Sequence, residues 1–428
     1  MSKMKESGIA WVGDMPVNWT VKRGKYTLNL LNRPVEDSDE VITCFRDGEV
    51  TLRKNRREDG FTVSLKEIGY QGLEPGDLVI HGMDGFAGAI GISDSRGKSS
   101  PVLVVCDSDE NKKYIMYYLR SMAYNDVFTA LATGIRVRSC DLRWNKLAEL
   151  PYILPSLEEQ SRIVQAIDND TAKVESLIAN VRAQIDKLKA YKQSLITEAV
   201  TKGLDQSAPV KESGVDWIDT IPQTWHTSPL KALFSFGKGL PITKENLTET
   251  GIPVISYGQI HAKWNTGVTT HEELYRFVSE EYLDSNHDSL VHKGDMIMAD
   301  TSEDKEGCGN CAYIDTDDTI FAGYHTIILK SLSKTNTKYL AYLFLTDHWR
   351  SQLRKQVSGV KLFSVSKKIL GSTTVLIPDC AEEIVAYLDD KCSQIDALIR
   401  IKQAKIEKLE RFKKSIIYEY VTGKKEVQ

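Results

Sequence analysis

No stretch of this 428-residue sequence reaches the ~18 uninterrupted apolar residues that a membrane-spanning helix requires. The opening Met1-Ser2-Lys3-Met4-Lys5-Glu6-Ser7-Gly8 has no apolar core of the signal-peptide type, so a cytoplasmic protein is expected. Cysteine is sparse and odd in number: Cys44, Cys106, Cys140, Cys308, Cys311, Cys380 and Cys392 are scattered, which fits reduced thiols rather than a disulfide framework. Cys308 and Cys311 form the sole C-x-x-C, and without a second pair or an H-x₃₋₅-H nearby it is two ligands short of a zinc site. Charge of one sign is also lacking. A net charge of −4 argues against a chain that coats nucleic acid throughout, so any such contact has to come from local clusters.

The motifs of catalysis are missing as well. There is no Pro-Pro pair, and hence no Asp/Asn-Pro-Pro-aromatic cluster of the kind that holds a flipped adenine for methyl transfer. Gly91-Ile92-Ser93-Asp94-Ser95-Arg96-Gly97-Lys98-Ser99 has five residues between its glycines where a phosphate-binding loop has four, and reads better as a polar turn between strands. Gly307-Cys308-Gly309-Asn310-Cys311-Ala312 follows acidic residues instead of an apolar strand, which speaks against a dinucleotide fingerprint. Pro378-Asp379 lacks the Glu-x-Lys continuation of a metal-dependent nuclease. A non-enzymatic chain is expected.

What is present is a repeat. A hydrophobic share of 41% and a charged share of 27% describe a globular chain, yet 428 residues are too many for one ordinary core. Lys5-Glu6-Ser7-Gly8-Ile9-Ala10-Trp11-Val12 returns 206 residues later as Lys211-Glu212-Ser213-Gly214-Val215-Asp216-Trp217-Ile218, with Pro16 and Trp19 matched by Pro222 and Trp225. The shared position of these tryptophans favours core packing over base stacking, since a reading element should differ between copies. Leu73-Glu74-Pro75-Gly76-Asp77-Leu78-Val79-Ile80 corresponds to Val291-His292-Lys293-Gly294-Asp295-Met296-Ile297-Met298, a Gly-Asp turn opening an apolar strand in each copy. Thr133-Gly134-Ile135-Arg136-Val137 parallels Ser358-Gly359-Val360-Lys361-Leu362, and the grown offset predicts insertions inside the second globular part.

After Pro155 and again after Pro378 the apolar period changes from 2 to about 3.5. Val174, Ile178, Val181, Ile185, Leu188 and Leu195 form one seam, and Ile395, Ile399, Ile406, Leu409 and Ile416 repeat it 221 residues later. Leu177, Tyr191 and Glu198 recur in the same register as Leu398, Phe412 and Glu419. Free of Pro and Gly, each segment can run as a helix of up to ~40 residues, about 60 Å long. The most economical partner for each seam is the other copy, packed antiparallel. Such a pair would put the globular domains at opposite ends with approximate twofold symmetry.

Residues suited to DNA lie in the stretches between these anchors. From Arg46 to Arg57, five basic residues (Arg46, Arg53, Lys54, Arg56, Arg57) face two acidic ones, so the loop can contact phosphates and offer Arg forks to guanine. Arg136 and Arg138, with Lys361 as counterpart of Arg136, are further candidates, as are Tyr257, Gln259, Lys263, Lys305 and His325 in the second copy; each also has a plain reading as a solvated surface residue. Arg400, Lys402, Lys405, Lys408, Arg411, Lys413 and Lys414 make the second long helix basic, suited to DNA, an acidic partner or water.

Taken together, the paired Lys-Glu-Ser-Gly…Trp…Pro…Trp starts, the Gly-Asp turns and the lead-in Pro155-Ser156-Leu157-Glu158-Glu159-Gln160 resemble the specificity subunits of type I restriction-modification systems over nearly the whole chain. The second lead-in, Pro378-Asp379-Cys380-Ala381-Glu382-Glu383, departs from the pattern at Cys380 and Glu383. The resemblance implies two copies of an α/β (α+β) globular domain, related by an internal repeat and separated by two long antiparallel helices forming a coiled coil. The expected divisions are a first target-recognition domain at 1–154, a central helix at 155–205, a second recognition domain at 206–377 and a C-terminal helix at 378–428. It further implies that each domain reads one half of a bipartite, asymmetric double-stranded DNA target. The helices would set the unread gap and dock two methyltransferase subunits. Those partners would hold S-adenosylmethionine and methylate adenine, and a motor-nuclease subunit of this defence system would use ATP and Mg²⁺, with no cofactor on this chain. The rival reading is a stand-alone two-domain DNA-binding or scaffold protein with a coiled-coil spacer.

Overall fold

The computed structural model describes residues 3–56, 67–130, 142–332, 336–359 and 361–427; Arg57, Arg136 and Arg138 lie outside the described residues. The chain divides into two compact units, Met1–Ala183 with Lys402–Gln428, and Gln184–Ile401. Both boundaries fall inside the long helices rather than at their ends.

Each unit is built on the same four-stranded antiparallel sheet. In the first, the strand order is Asn29–Leu30, Leu103–Asp107, Leu78–His81, Ile90–Ile92. In the second it is Phe234–Lys238, Thr326–Ser331, Met296–Ala299, Cys311–Tyr313. The Gly-Asp turns lead into the second-from-edge strand of each sheet. Leu78, Val79 and Ile80 are buried without residual exposure, as are Met296, Ile297 and Met298. That is why these segments read as unbroken apolar runs instead of alternating ones. Gly76 (φ +91°) and Gly294 (φ +94°) take left-handed conformations that side chains resist, and the next Asp closes the turn. Asp77 accepts a hydrogen bond from the Glu74 amide at 2.8 Å, and Asp295 one from the His292 amide at 2.9 Å.

Asp77 also forms a two-pronged ion pair with Arg33, whereas Asp295 accepts a second backbone N–H, that of Ser331 at 3.3 Å. Asp77→Ala strands an arginine whose partner was 4% exposed, and should cost roughly 3 kcal/mol, near the low end for breaking a buried pair because Arg33 is itself partly solvated. Asp295→Ala leaves backbone donors alone, at about 1–3 kcal/mol. Urea unfolding of the two variants should therefore rank D77A as the more damaged, and a clearly greater loss in D295A would refute the ion-pair account.

The divergence between copies lies between the sheet strands. In the second unit a further sheet, Arg276–Val278, Ile252–Ile255, Ile320–Ala322, Leu290–Val291, contains one parallel pairing, Ile252–Ile255 with Ile320–Ala322. It covers its own apolar clusters around Ile255, Leu274 and Phe321. In the first unit the stretch before the Gly-Asp turn contains a hairpin, Ile42–Cys44 with Val50–Leu52. The growing offset of the repeat has its source here.

The repeated starts are hairpins, Met4–Glu6 with Asp14–Pro16 and Val210–Val215 with Ile218–Pro222. Trp19 and Trp225 are each 2% exposed. Trp19 donates its indole N–H to Glu159 at 3.0 Å, and Trp225 meets Tyr339 edge-on at 6.3 Å. Trp225 lies against Gly203 and Trp19 against Gly423, glycines with φ of +80° and +71° just past the ends of the long helices. The two tryptophans hold equivalent positions.

The long helices are Leu157–Lys202 and Ala381–Val421. Within the first unit they pair antiparallel: Asp170 accepts from Tyr420 (3.0 Å) and Lys425 (3.2 Å), Glu175 meets Lys413 (2.6 Å) and Glu410 faces Arg182 (3.7 Å). Within the second, Lys192 pairs with Asp396 at 2.7 Å. Along the seam Val174, Ile178, Val181, Ile185, Leu195, Ile395, Ile406 and Ile416 are buried, while Leu188, Ile399 and Leu409 are half-buried. Leu177, Tyr191, Leu398 and Phe412, which repeat in the same register, are about half exposed, with accessibilities from 47% to 58%.

A polar clasp also recurs. Lys113 and the Tyr117 hydroxyl donate to Asp168, and Lys338 and the Tyr342 hydroxyl donate to Asp389, tying the helix that follows each sheet to a long helix. Burial, followed by the facing carboxylate, pushes both tyrosines well above the usual phenol pKa, so they remain donors.

The helix starts differ in one respect that the lead-in pattern obscured. Buried Ile163, Val164 and Ile167 match Ile384, Val385 and Leu388, so Gln160 is in register with Ala381 and not with exposed Glu383. Gln160 is fully buried and satisfied by the Asn111 amide, the Glu110 carboxylate and the Pro155 carbonyl. Ala381 replaces that network with an apolar contact in the second core.

Candidate nucleic-acid interface

Among the described residues, Arg46, Arg53, Lys54 and Arg56 of the first unit lie on a hairpin and the turn that follows it. The turn is closed by backbone bonds between Phe45 and Glu49 and between Gly48 and Phe45, with Gly48 at φ +91°, and Arg120 anchors it by donating to the Asp47 carbonyl at 2.6 Å. A short 3-10 turn, Arg53–Asn55, continues the second strand. Arg46, Arg53, Lys54 and Arg56 are thereby brought together, and each is already engaged. Arg46 pairs with Asp84 (2.9 Å), Lys54 with Glu40, and Arg56 with Asp47 (2.6 Å) and Glu49 (3.1 Å) while covering the Phe45 ring at 4.2 Å. Arg53 reaches the Thr43 hydroxyl at 3.3 Å. Burial acts to raise the Asp47 pKa, but the Arg56 hydrogen bond and charge outweigh it and hold the carboxylate below its usual range. These pairs are largely exposed, so each is worth little.

Asp84 belongs to the loop that leaves strand Leu78–His81. Its base is fixed by His81, whose Nδ1 accepts from the amides of Met83 (3.3 Å) and Asp84 (3.0 Å). Burial lowers the His81 pKa, in keeping with a neutral ring used as an acceptor. Met83, beside Asp84, is 54% exposed.

The second unit uses the corresponding loop, the one that leaves strand Met296–Ala299, and surrounds it with different chemistry. A cavity of about 690 Å³ is lined by residues that include Tyr257, His261, Asp304, Asn310, His325 and Leu362. Tyr257 opens a short helix, Tyr257–Ile260, and lies edge-on to Tyr324 (5.7 Å) and His325 (5.5 Å). His325 has φ +55° and its Nδ1 is 3.4 Å from Asp300, so a strained backbone displays an exposed ring next to a carboxylate. The pairing of Thr301–Ser302 with Phe363–Ser364 brings up the segment carrying Lys361, and Lys305 places its ammonium 5.7 Å from the Phe363 ring.

Tyr257, Lys305, His325 and Lys361 are thus gathered at one end of the sheet. Lys263 lies exposed three residues past the short helix, beside Trp264, which is 52% exposed. Gln259 turns back to accept from the Ser256 amide at 3.2 Å and caps its own helix, so it is less available than its type suggested. Reasoning from sequence missed His261, Asn310, Tyr324 and Trp264 here and Met83 in the first unit. Met83 and Asn310 carried a usable signal of position, each lying in the loop that leaves the strand after a Gly-Asp turn, whereas His261, Tyr324 and Trp264 are remote from that strand in the chain and carried none.

Cys308 and Cys311 are both buried, and no group of three or more His, Cys, Asp or Glu side chains among the described residues is arranged to hold a metal ion. Burial raises both thiol pKa values, that of Cys311 to about 11, which keeps them protonated near neutrality. No helix among the described residues is long and apolar enough to cross a membrane.

Comparison with known proteins bears on these two units directly. Residues 222–411 match the family described as the type I restriction modification DNA specificity domain. The type I restriction enzyme MjaVIII specificity subunit of Methanocaldococcus jannaschii is 24% identical over 327 residues, 74% of this chain and 72% of that protein. The putative MjaX specificity subunit of the same organism is 22% identical, over 96% of this chain and 95% of its own length. Among solved structures, a chain from work on complex assembly and conformational transition of the type I R-M system superposes with a TM-score of 0.68. It is 15% identical and covers 95% of this chain and 98% of its own, a likeness of fold.

Proposed function

Since the chain belongs to the specificity subunits of type I restriction-modification systems, we propose that each unit reads one half of a bipartite, asymmetric double-stranded DNA target. The observation that carries this is a common sheet with unlike loops at the same strand. The loop beyond Leu78–His81 sits with an arginine-rich hairpin, and the loop beyond Met296–Ala299 with a tyrosine, histidine and asparagine cluster. One scaffold carrying two chemistries suits two different half-sites.

The long helices fix the gap between the half-sites and dock two methyltransferase subunits. The half-exposed Leu177 and Tyr191 on one helix, with Leu398 and Phe412 in the same register on the other, support a partner present twice. This chain is the non-catalytic reader. S-adenosylmethionine belongs to the methyltransferase partners, ATP and Mg²⁺ to a motor-nuclease subunit, and the complex works on DNA in the cytoplasm.

The test is co-expression of the chain with its methyltransferase partner, followed by genome-wide mapping of N6-methyladenine. A split motif should appear only when the chain is present, and exchange of residues 206–377 for those of a relative should rewrite one half of it and leave the other. Unchanged methylation despite an assembled complex would rule out the reading role and leave a scaffold.

A further inference from the structure

Asn310 lines the cavity of the second unit, and its backbone is held on both sides. Its carbonyl accepts from the Ala299 amide at 3.1 Å and its own amide donates to Gly307 at 3.0 Å, in a turn allowed by Gly309 at φ +95°. The side chain is fixed by a relay. His261 Nε2 is 2.9 Å from the Thr301 carbonyl, which can only accept, so Nε2 carries the proton. Nδ1 of the neutral ring is then an acceptor, and it takes an N–H of the Asn310 amide at 3.0 Å. The relay therefore decides which way the amide points. Its carbonyl oxygen and second N–H have no partner among the described residues.

A carbonyl oxygen and an N–H side by side are the pair that matches the N6 amino group and N7 of adenine. Three acidic residues of the lining favour an amino-bearing edge. Glu303, Asp304 and Glu306 carry carboxylates that only accept, so they suit an exocyclic amino group and disfavour guanine O6 or thymine O4. We infer that Asn310 is the residue with which the second unit reads an adenine of its half-site, and that His261 is the positioning residue that sets its amide. This inference rests on the proposed reading of DNA by each unit.

The chain is assembled with its methyltransferase partner in cells, and the methylated motif is mapped for Asn310→Ala, Asn310→Asp, His261→Phe and His261→Gln. Loss of a two-pronged adenine contact should reduce discrimination at one position by roughly 5- to 150-fold. Asn310→Ala is expected to relax one adenine position in the half-site assigned to residues 206–377, with the other half-site unchanged. His261→Phe should relax the same position, and His261→Gln should restore it, because a glutamine amide can both donate to Thr301 and accept from Asn310. A motif unchanged in Asn310→Ala overturns the inference while leaving the chain a reader. Uniform loss of methylation in all four variants, with the complex intact and no position relaxed, also overturns it, since the Asn310–His261 link would then only brace the loop. Absence of any motif dependent on the wild-type chain would remove the proposed function itself.

Discussion

Replacing Arg46, Lys54 and Arg56 together by alanine should weaken DNA binding by the assembled complex by two to three orders of magnitude, to a rough approximation, at ~0.1 M salt. The size follows from counterion release. Each phosphate neutralised contributes about 0.9 to the slope of log affinity against log salt, so three lost contacts remove about 2.7 from that slope. In the free protein the three side chains pair with Asp84, Glu40, Asp47 and Glu49. On the proposed reading, binding would exchange those carboxylates for phosphates, since exposed pairs are weak enough to give way. The converse substitution, Asp47→Asn with Glu49→Gln, should raise non-specific affinity, because Arg56 no longer has a competing partner. A salt titration by fluorescence anisotropy reads both effects. A slope unchanged by the triple substitution would mean that these ion pairs persist on DNA and that the hairpin is structural.

Trp225→Ala should cost about 3–5 kcal/mol, the usual range for removing a buried large aromatic side chain. Trp225 sits among residues from the end of one long helix (Leu195, Ile196, Ala199, Val200), the start of the other (Ile384, Leu388) and the Tyr339 helix, so its cavity has no single flexible wall that can collapse into it. Tyr339 also donates to the Val200 carbonyl at 2.8 Å, and that buried bond loses its packing cover. Trp19→Ala should cost a similar amount in the first unit, where the indole contact to Glu159 goes as well. Hydrogen exchange on the chain in its complex separates the two. W225A should deprotect Met296–Ala299 and Thr326–Ser331 while Leu78–His81 and Leu103–Asp107 stay protected, and W19A should do the reverse. Loss of less than ~1 kcal/mol from either would contradict the core role of these side chains.

The repeated Trp, Gly-Asp and helix-seam signals were legible because each is local. A Gly-Asp turn needs four consecutive residues, and a helical seam needs one residue every three or four. The chemistry of the second unit was legible only as a scatter of types. Tyr257 and His325 are 68 positions apart in the chain, yet their rings are 5.5 Å apart. Gln259 has the side chain of a base reader but spends its carbonyl on a helix cap, and Asn310, passed over within a glycine-rich loop, is the amide with a free edge. The charge of the Arg46–Arg56 hairpin was counted correctly within its own segment, but Asp84 and Glu40, which pair with it, lie outside that segment.

The sequence by itself determined the duplication, the sheet strands behind the Gly-Asp turns and the two long helices, since backbone preference and apolar period act over a few neighbouring residues. The tertiary structure alone decided that Asp168 and Asp389 clasp the helices, that Ala381 and not Glu383 stands where Gln160 does, and that His261 orients Asn310. Those facts depend on which side chains meet across long stretches of chain, and close packing fixes such meetings to within an ångström, a precision that no short-range pattern carries.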